Sequence, residues 1–156
     1  LEVMGRHAGY LALYVGLAVG ATAVLVPETA YDFEAHVAEK IRQARLMGKT
    51  NFMIVVAEGC VSAMKVGDQI KNELGLDPRV TILGHIQRGG SPTAKDRVTA
   101  TRMGYEAVRL LAEGQTNRIV CAAGEQIVNV DIDEGLAMTK TLNPEEFEVM
   151  TAMTGR

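Results

Sequence analysis

The chain is poor in aromatic residues and in cysteine. Its 156 residues include no tryptophan, three phenylalanines, four tyrosines and two cysteines. Cys60 and Cys121 lie far apart and form no Cys-x-x-Cys motif, which argues against a disulfide framework. We expect two buried, free thiols and therefore a reducing, cytoplasmic environment.

The chain also lacks an excess of positive charge. Sixteen lysines and arginines stand against nineteen acidic residues, which gives a net charge of −3, and the isoelectric point is about 5.6. The basic residues are scattered rather than gathered in one run. This balance argues against a nucleic-acid-binding role, so any recognition of phosphate must be local. The hydrophobic content of 47% excludes a disordered chain and suffices for one globular domain.

No charged residue occurs between Gly9 and Pro27. This segment resembles a short membrane helix in which Gly16 and Gly20 form a small-residue packing face. Glycine and proline interrupt this run, and the residues after Gly20 have the composition of a strand. We therefore predict a buried helix over 5–19, then a buried strand over 22–26, and no membrane partner. A helix that is apolar nearly all round suits a protein interior or an oligomer interface.

The remaining pattern alternates between helices and strands. Helices are predicted over 33–47, 62–74, 92–113 and 132–139 and from Asn143-Pro144 onward, and strands over 52–57, 79–83, 118–122 and 126–130. Alternation of this kind predicts an α/β fold with a mostly parallel sheet and flanking helices, a three-layer, Rossmann-like arrangement.

The stretch from Gly84 to Thr93 joins a strand end, a cationic loop and a helix start. His85 and Arg88 follow the strand, two glycines follow them, and Ser91-Pro92 has the composition of a helix N-cap and first helical position. Because helix N-termini and glycine-rich loops bind anions, the stretch indicates a phosphate site. The alternative is a turn that only connects strand to helix, with Arg88 in water.

Two further segments point to the same kind of site. Glu58 follows the strand over 52–57, and ligands of parallel sheets lie beyond the carboxyl ends of the strands. A carboxylate there could bind sugar hydroxyls, or it could simply cap the helix that begins near Ser62. Met4-Gly5-Arg6-His7 adds glycine and arginine at a predicted helix start. Together these residues suggest a sugar-phosphate ligand.

With these residues in view, the whole chain resembles the C-terminal half of bacterial ATP-dependent 6-phosphofructokinases. The resemblance is carried by three motifs in order: Met4-Gly5-Arg6-His7-Ala8-Gly9, Val56-Ala57-Glu58-Gly59, and Leu83 to Ala94 followed by Asp96-Arg97. It implies a glycolytic kinase that transfers a phosphoryl group to O1 of fructose 6-phosphate, and a homotetramer.

The resemblance also implies roles for individual residues. Backbone contacts of Met4, Gly5 and Arg6 would bind fructose 6-phosphate, with Arg6 near the transferred phosphoryl group. Glu58 would bind sugar hydroxyls, and His85 and Arg88 would bind the 6-phosphate. Arg79 would complete that pocket from a neighbouring subunit.

Two signatures of the family do not occur in these 156 residues. They are the glycine-rich nucleotide site and the Thr-Ile-Asp-Asn-Asp motif, whose aspartate activates the sugar hydroxyl near Mg²⁺. Since the chain also begins at Leu1 rather than at methionine, we expect a part of a longer protein, in which Mg²⁺ and ATP are bound mainly by other residues. The chain alone should then be inactive. We expect 1–87 with 137–156 to form the substrate domain, and 88–136 to pack on the absent nucleotide-binding domain.

The family's effector site is represented here by Gly20, Thr22 and Lys49. Thr22 stands where better-known relatives have an acid, and Met47 stands where they have a basic residue, which Arg45 could replace. Usual effector control is therefore in doubt. Three other interpretations stay open: a pyrophosphate-dependent phosphofructokinase, a non-catalytic sugar-phosphate-binding subunit, and an α/β interaction domain whose motifs are only loops.

Overall fold

A computed structural model describes residues 1–139 and 141–154, which form two compact units. The first unit comprises Leu1–Gly89 together with the chain from Leu142 onward, and the second comprises Gly90–Thr141. These boundaries lie close to the predicted division after residue 87 and before residue 137. Residues 140, 155 and 156 of the predicted substrate domain lie outside the described residues. The roles assigned to the two parts remain predictions.

The first unit is built on a small parallel sheet. Its strands are β1 (Glu2–Val3), β2 (Ala23–Leu25) and β3 (Ile54–Ala57), in the order β1-β3-β2. Glu2 pairs with Val56, and Val24 pairs with Val55. A single parallel bridge between Glu2 and Ile82 extends the sheet beyond β1.

Helices cover both faces of this sheet. On one side are α1 (Tyr10–Val19) and α6 (Pro144–Thr154); on the other are a π-helical turn (Glu34–Ala38), α2 (Glu39–Leu46) and α3 (Ala63–Leu74). The predicted three-layer α/β arrangement is confirmed. At the starts of two of these helical segments, the side chains of Asp32 and Asn143 accept the backbone N–H groups of Ala35 and Glu145.

Alternation along the strands divides the core between the two faces. Val56 packs with Val37 and Ile41 below the helices of one side, whereas Val55 packs with Leu13 on the other. All five side chains are at most 2% exposed, which is what a strand covered on both faces requires. The sheet is therefore buried except at its ends, where the strands meet their loops.

Two predicted elements of this unit are wrong in extent. The helix expected from Gly5 begins only at Tyr10, because Arg6 has a left-handed φ of 51° and Gly9 takes the N-cap position. The strand expected over 79–83 reduces to the bridge at Ile82. Its partner β1 spans only two residues, so Glu2 alone offers backbone groups, to Thr81 and Leu83.

The second unit contains the long helix α4 (Ala94–Ala112), an antiparallel hairpin and a short helix. The hairpin strands are β4 (Arg118–Ala123) and β5 (Gln126–Asp131), and the last helix is α5 (Ile132–Ala137). A two-residue connection forces the two strands to run antiparallel, unlike the sheet of the first unit. The "mostly parallel" prediction therefore applies to the first unit only.

The start of α4 also differs from prediction. Thr93, rather than Ser91, is the N-cap: its hydroxyl accepts from the Asp96 amide and the Asp96 carboxylate accepts from the Thr93 amide. One apolar stripe of α4 is exposed, with Val98 at 59% and Tyr105 at 72%. The hairpin lies instead on the face that carries Leu110, which is 2% exposed.

Two further expectations concern cysteines and membranes. Cys60 and Cys121 are free, as expected, but both are half-buried rather than buried. None of the helices in the described ranges has the length and hydropathy needed to cross a bilayer. Gly16, read from sequence as part of a small-residue face, packs on β2: a Cβ there would lie 2.2 Å from a methyl carbon of Val24.

Candidate functional site

Three loops meet at the carboxyl edge of the parallel sheet in the first unit. The Met4–Gly9 loop follows β1, Glu58 follows β3, and a 3-10 helical turn (Gly84–Arg88) follows the bridge at Ile82. Parallel pairing places these strand ends at one edge, which is the usual position of ligand sites in such sheets. The motifs singled out in the sequence are therefore brought together.

Glu58 binds the first of these loops through one oxygen. Its Oε1 accepts hydrogen bonds from the backbone N–H groups of Arg6, at 2.8 Å, and Gly5, at 3.1 Å. These bonds, and then the positive charges of Arg6 and His85, lower the pKa of the Glu58 carboxyl below its usual value. Glu58 therefore remains an anion at neutral pH and orders the loop, rather than capping α3.

The loop itself is tightly folded against the end of β3. A Cβ on Gly59 would lie 1.7 Å from the carbonyl oxygen of Arg6, and a Cβ on Gly5 would lie 2.3 Å from that of Ala8. Only glycine permits these approaches. Arg6 holds a left-handed φ of 51°, a conformation that costs energy for a residue with a side chain. The backbone is thus fixed in one shape and the Arg6 side chain is exposed.

The 3-10 turn is connected to the same loop by Gln87. The Gln87 Oε1 atom accepts a hydrogen bond of 2.8 Å from the Met4 N–H. Gln87 is half-buried, whereas His85 and Arg88 on the same turn are exposed. Two exposed cationic or hydrogen-bonding side chains therefore stand on a turn that is joined to the loop of Arg6.

Arg79 does not belong to this cluster within the chain. It precedes the bridge at Ile82, whereas His85 and Arg88 follow it, so it lies toward the opposite edge of the sheet. There it lines a pocket of about 460 Å³ beside α3, with Asn51 and Asp77. Arg79 is therefore not brought together with His85 and Arg88, and its implied role in a neighbouring subunit's pocket remains a prediction.

The candidate effector residues lie at the amino ends of β2 and β3, opposite the Glu58 edge. Thr22 is buried and its hydroxyl accepts from the Met53 N–H at 3.4 Å. Lys49 is exposed and shares a pocket of about 360 Å³ with Arg45. Gly20 and Thr22 do not line that pocket, so the structure joins Lys49 with Arg45 but not with the other two candidates.

Sequence reasoning missed two residues that build the site. Gln87 was passed over between His85 and Arg88, although its place inside the motif was a usable signal. Glu2 was missed because β1 is too short to predict. Its carboxylate accepts the Ala63 N–H at 2.9 Å and so caps α3, where Ser62 occupies the N-cap position without a side-chain bond.

The residues present do not fit a metal centre. Within the ranges 1–139 and 141–154, no group of three or more histidine, cysteine or acidic side chains could hold a metal ion. The chemistry of the edge is instead that of a binding site. The anionic carboxylate of Glu58 suits hydroxyl groups, while His85, Arg88 and Arg6 suit a phosphate. The backbone N–H groups of Met4, Gly5 and Arg6, which were expected to bind the ligand, donate instead to Gln87 and Glu58.

Comparisons with known proteins identify the family of the chain. The sequence model of the phosphofructokinase family, "Phosphofructokinase", matches residues 1–111. An ATP-dependent 6-phosphofructokinase from Thermotoga petrophila is 45% identical over 149 residues, which is 96% of this chain and 46% of that protein. The enzyme of that name from Clostridium botulinum Loch Maree is 41% identical over 154 residues, which is 99% of this chain and 48% of that protein.

The fold is similar to a solved structure as well. Phosphofructokinase from Saccharomyces cerevisiae superposes with a TM-score of 0.77 at 33% identity, covering 97% of this chain and 21% of that one. The chain spans about half the length of the curated relatives it matches. A family match over residues 1–111, together with the shared fold, shows that the chain belongs to the phosphofructokinase family.

Proposed function

We propose that this chain is the substrate-binding half of an ATP-dependent 6-phosphofructokinase, which phosphorylates fructose 6-phosphate at O1. The observation that carries the proposal is the junction of three loops at one sheet edge. Glu58 holds the amides of Gly5 and Arg6, and Gln87 joins this loop to the turn that carries His85 and Arg88. One edge thus offers groups for both ends of a sugar phosphate.

The two ends of the ligand would use different groups. The 6-phosphate would bind His85 and Arg88, whose exposed side chains can donate to its oxygens. The second carboxylate oxygen of Glu58 has no partner among the described residues and would accept from sugar hydroxyls. Arg6, exposed on a rigid backbone, would face the transferred phosphoryl group.

Catalysis would require residues that this chain does not contain. Phosphoryl transfer depends on positioning and on neutralising developing charge, which Mg²⁺ and basic side chains supply. Because the described residues offer no metal cluster, Mg²⁺ and ATP would be bound mainly by the N-terminal half of the enzyme. We therefore expect the 156-residue chain to bind substrate without turnover, checked by a coupled assay for fructose 1,6-bisphosphate.

The exposed stripe of α4 is the proposed contact with that half. Val98, Tyr105 and Val108 are each more than half exposed, although all three are large and apolar. Residues 88–136 would pack on the nucleotide-binding domain through this face, and the tetramer would supply Arg79 to a neighbouring site. The free thiols Cys60 and Cys121 agree with a cytoplasmic enzyme.

The effector role is proposed only for Lys49, with Arg45 as its partner. Their shared pocket is cationic and suits a phosphorylated effector. The hydroxyl of Thr22 already accepts a hydrogen bond from the Met53 N–H. Gly20 has no side chain and is the left-handed C-cap of α1, so we assign no effector contact to either residue.

A calorimetric titration tests the proposed function directly. Fructose 6-phosphate should bind the purified chain, whereas fructose should give no measurable heat and inorganic phosphate should bind more weakly than the ester. Equal affinity for phosphate and for its sugar ester would reduce the site to an anion-binding loop. Absence of all binding would overturn the proposal for this chain.

A further inference from the structure

We infer that Gln87 is a positioning residue that fixes the distance between the phosphate-binding turn and the sugar-binding loop. The inference rests on the proposed function and deepens it, because it concerns the separation of the two parts of the site that bind the two ends of one sugar phosphate. Gln87 itself would contact neither end. It would act through the Met4 amide, to which it is bonded at 2.8 Å.

The 3-10 turn is weakly attached to the sheet. Among the described residues, two backbone hydrogen bonds join this segment to β1: Glu2 donates to Thr81 at 2.8 Å and accepts from Leu83 at 3.2 Å. Beyond Leu83 the turn makes backbone bonds within itself, such as Gly89 N–H to Ile86 carbonyl at 3.1 Å. For the described residues, Gln87 thus supplies the directional hydrogen bond between the turn and the Met4–Gly9 loop.

The burial and the neutral charge of Gln87 also suit a positioning role. Gln87 is half-buried between the exposed residues Ile86 and Arg88, so its side chain faces the protein while its neighbours face solvent. A neutral amide oxygen can accept from Met4 without attracting the guanidinium of Arg88 or repelling a phosphate.

The consequence is a difference between two ligands. Inorganic phosphate would need only the turn, with His85 and Arg88. Fructose 6-phosphate would need the turn and the loop at one fixed separation, because its phosphate and its hydroxyls are joined covalently. Loss of the Gln87 bond should therefore weaken binding of the ester and spare binding of phosphate.

The test compares the ratio of the two affinities in three proteins. Gln87→Met has a similar size and no carbonyl acceptor, whereas Gln87→Glu keeps an acceptor but adds a charge. In Gln87→Met, the affinity for fructose 6-phosphate should fall about three- to tenfold, the usual effect of one hydrogen bond, and the affinity for inorganic phosphate should stay within twofold. In Gln87→Glu, repulsion should weaken both ligands alike, so the ratio should remain near that of the unchanged chain.

A structural readout accompanies the affinities. The Met4 amide should exchange its hydrogen faster in Gln87→Met than in Gln87→Glu, as measured by NMR. If Gln87→Met does not fold, Gln87→Asn is used in its place. Asparagine is one methylene shorter than glutamine, so its amide oxygen lies farther from the Met4 N–H.

The outcomes separate this inference from the proposed function. An unchanged affinity ratio in Gln87→Met, with the ester still preferred, would overturn the positioning role alone. An unchanged chain that does not prefer the ester to inorganic phosphate would contradict the proposed function, and the positioning role would fail with it.

Discussion

The Oε1 atom of Glu58 lies 2.8 Å from the backbone nitrogen of Arg6. The Arg6 loop comes so close to the backbone of residue 59 that only glycine fits at that position. The same oxygen of Glu58 also accepts from Gly5. This relationship makes Glu58 both a candidate sugar ligand and a structural brace of the candidate site. Its effects on binding and on stability should therefore be separable by pH.

Glu58→Gln should remove the pH-dependent part of this brace. The folded-state pKa of Glu58 is lowered from 4.5, mainly by the Arg6 and Gly5 amides. Its carboxylate thus stabilises the fold above the unfolded pKa, and this contribution is lost as the pH falls through the lower, folded pKa. The difference in free energy of unfolding between the unchanged chain and Glu58→Gln should be constant near neutral pH and shrink below about pH 4.5.

The matched control is Glu73→Gln, which changes the net charge equally on the exposed surface of α3. Urea unfolding curves between pH 3 and pH 7 give the comparison. A Glu58→Gln difference that does not change with pH would show that the carboxylate charge does not hold the loop.

Gly59→Ala should disturb both the loop and the site. A Cβ at this position would lie 1.7 Å from the Arg6 carbonyl oxygen. Because this oxygen belongs to the backbone, a change of side-chain rotamer cannot relieve the clash. We expect a loss of about 1 to 3 kcal/mol in free energy of unfolding and weaker binding of fructose 6-phosphate. Gly104→Ala is the control, because it lies inside α4 with nothing within 4 Å of the added Cβ. It should be neutral or stabilising by up to about 1 kcal/mol, and equal effects of the two variants would contradict the described geometry.

Thr93→Ala should destabilise the second unit by about 1 kcal/mol, because it removes the hydroxyl that accepts from the Asp96 amide at the start of α4. Ser91→Ala should change stability by less than about 0.5 kcal/mol, since Ser91 is exposed and precedes the cap. Thermal unfolding of the two variants decides between the caps. A larger effect at Ser91 would restore the cap predicted from the sequence.

The sequence predicted most of the elements and the edge on which the site lies. Periodicity and turn residues located α2, α3 and the hairpin within a few residues. The motifs around Glu58 and His85 were expected after strands, whereas the Arg6 motif was expected at a helix start and follows β1 instead. What they could not reveal was which polar groups these side chains already bind, because Glu58 and Arg6 are separated by 51 intervening residues.

The misses have distinct physical causes. β1 is two residues long and gives no periodic pattern in the sequence. The cap that Glu2 provides to α3 could therefore not be predicted. In α4 the sequence has apolar residues on more than one face, and the pattern alone did not indicate which face the hairpin covers. The face that carries Leu110 is buried because the hairpin lies there, which depends on the chain beyond residue 113 rather than on the helix pattern.

The most direct measurement is a calorimetric titration of fructose 6-phosphate into Arg88→Ala beside the unchanged chain. Lys71→Ala, which removes one exposed positive charge from α3, is the matched control. A lost charge-assisted phosphate contact costs roughly 1.5 to 3 kcal/mol, so binding to Arg88→Ala should weaken about ten- to hundredfold. Lys71→Ala should bind within twofold of the unchanged chain. Equal affinity of Arg88→Ala and the unchanged chain would contradict a sugar-phosphate site at this edge of the sheet.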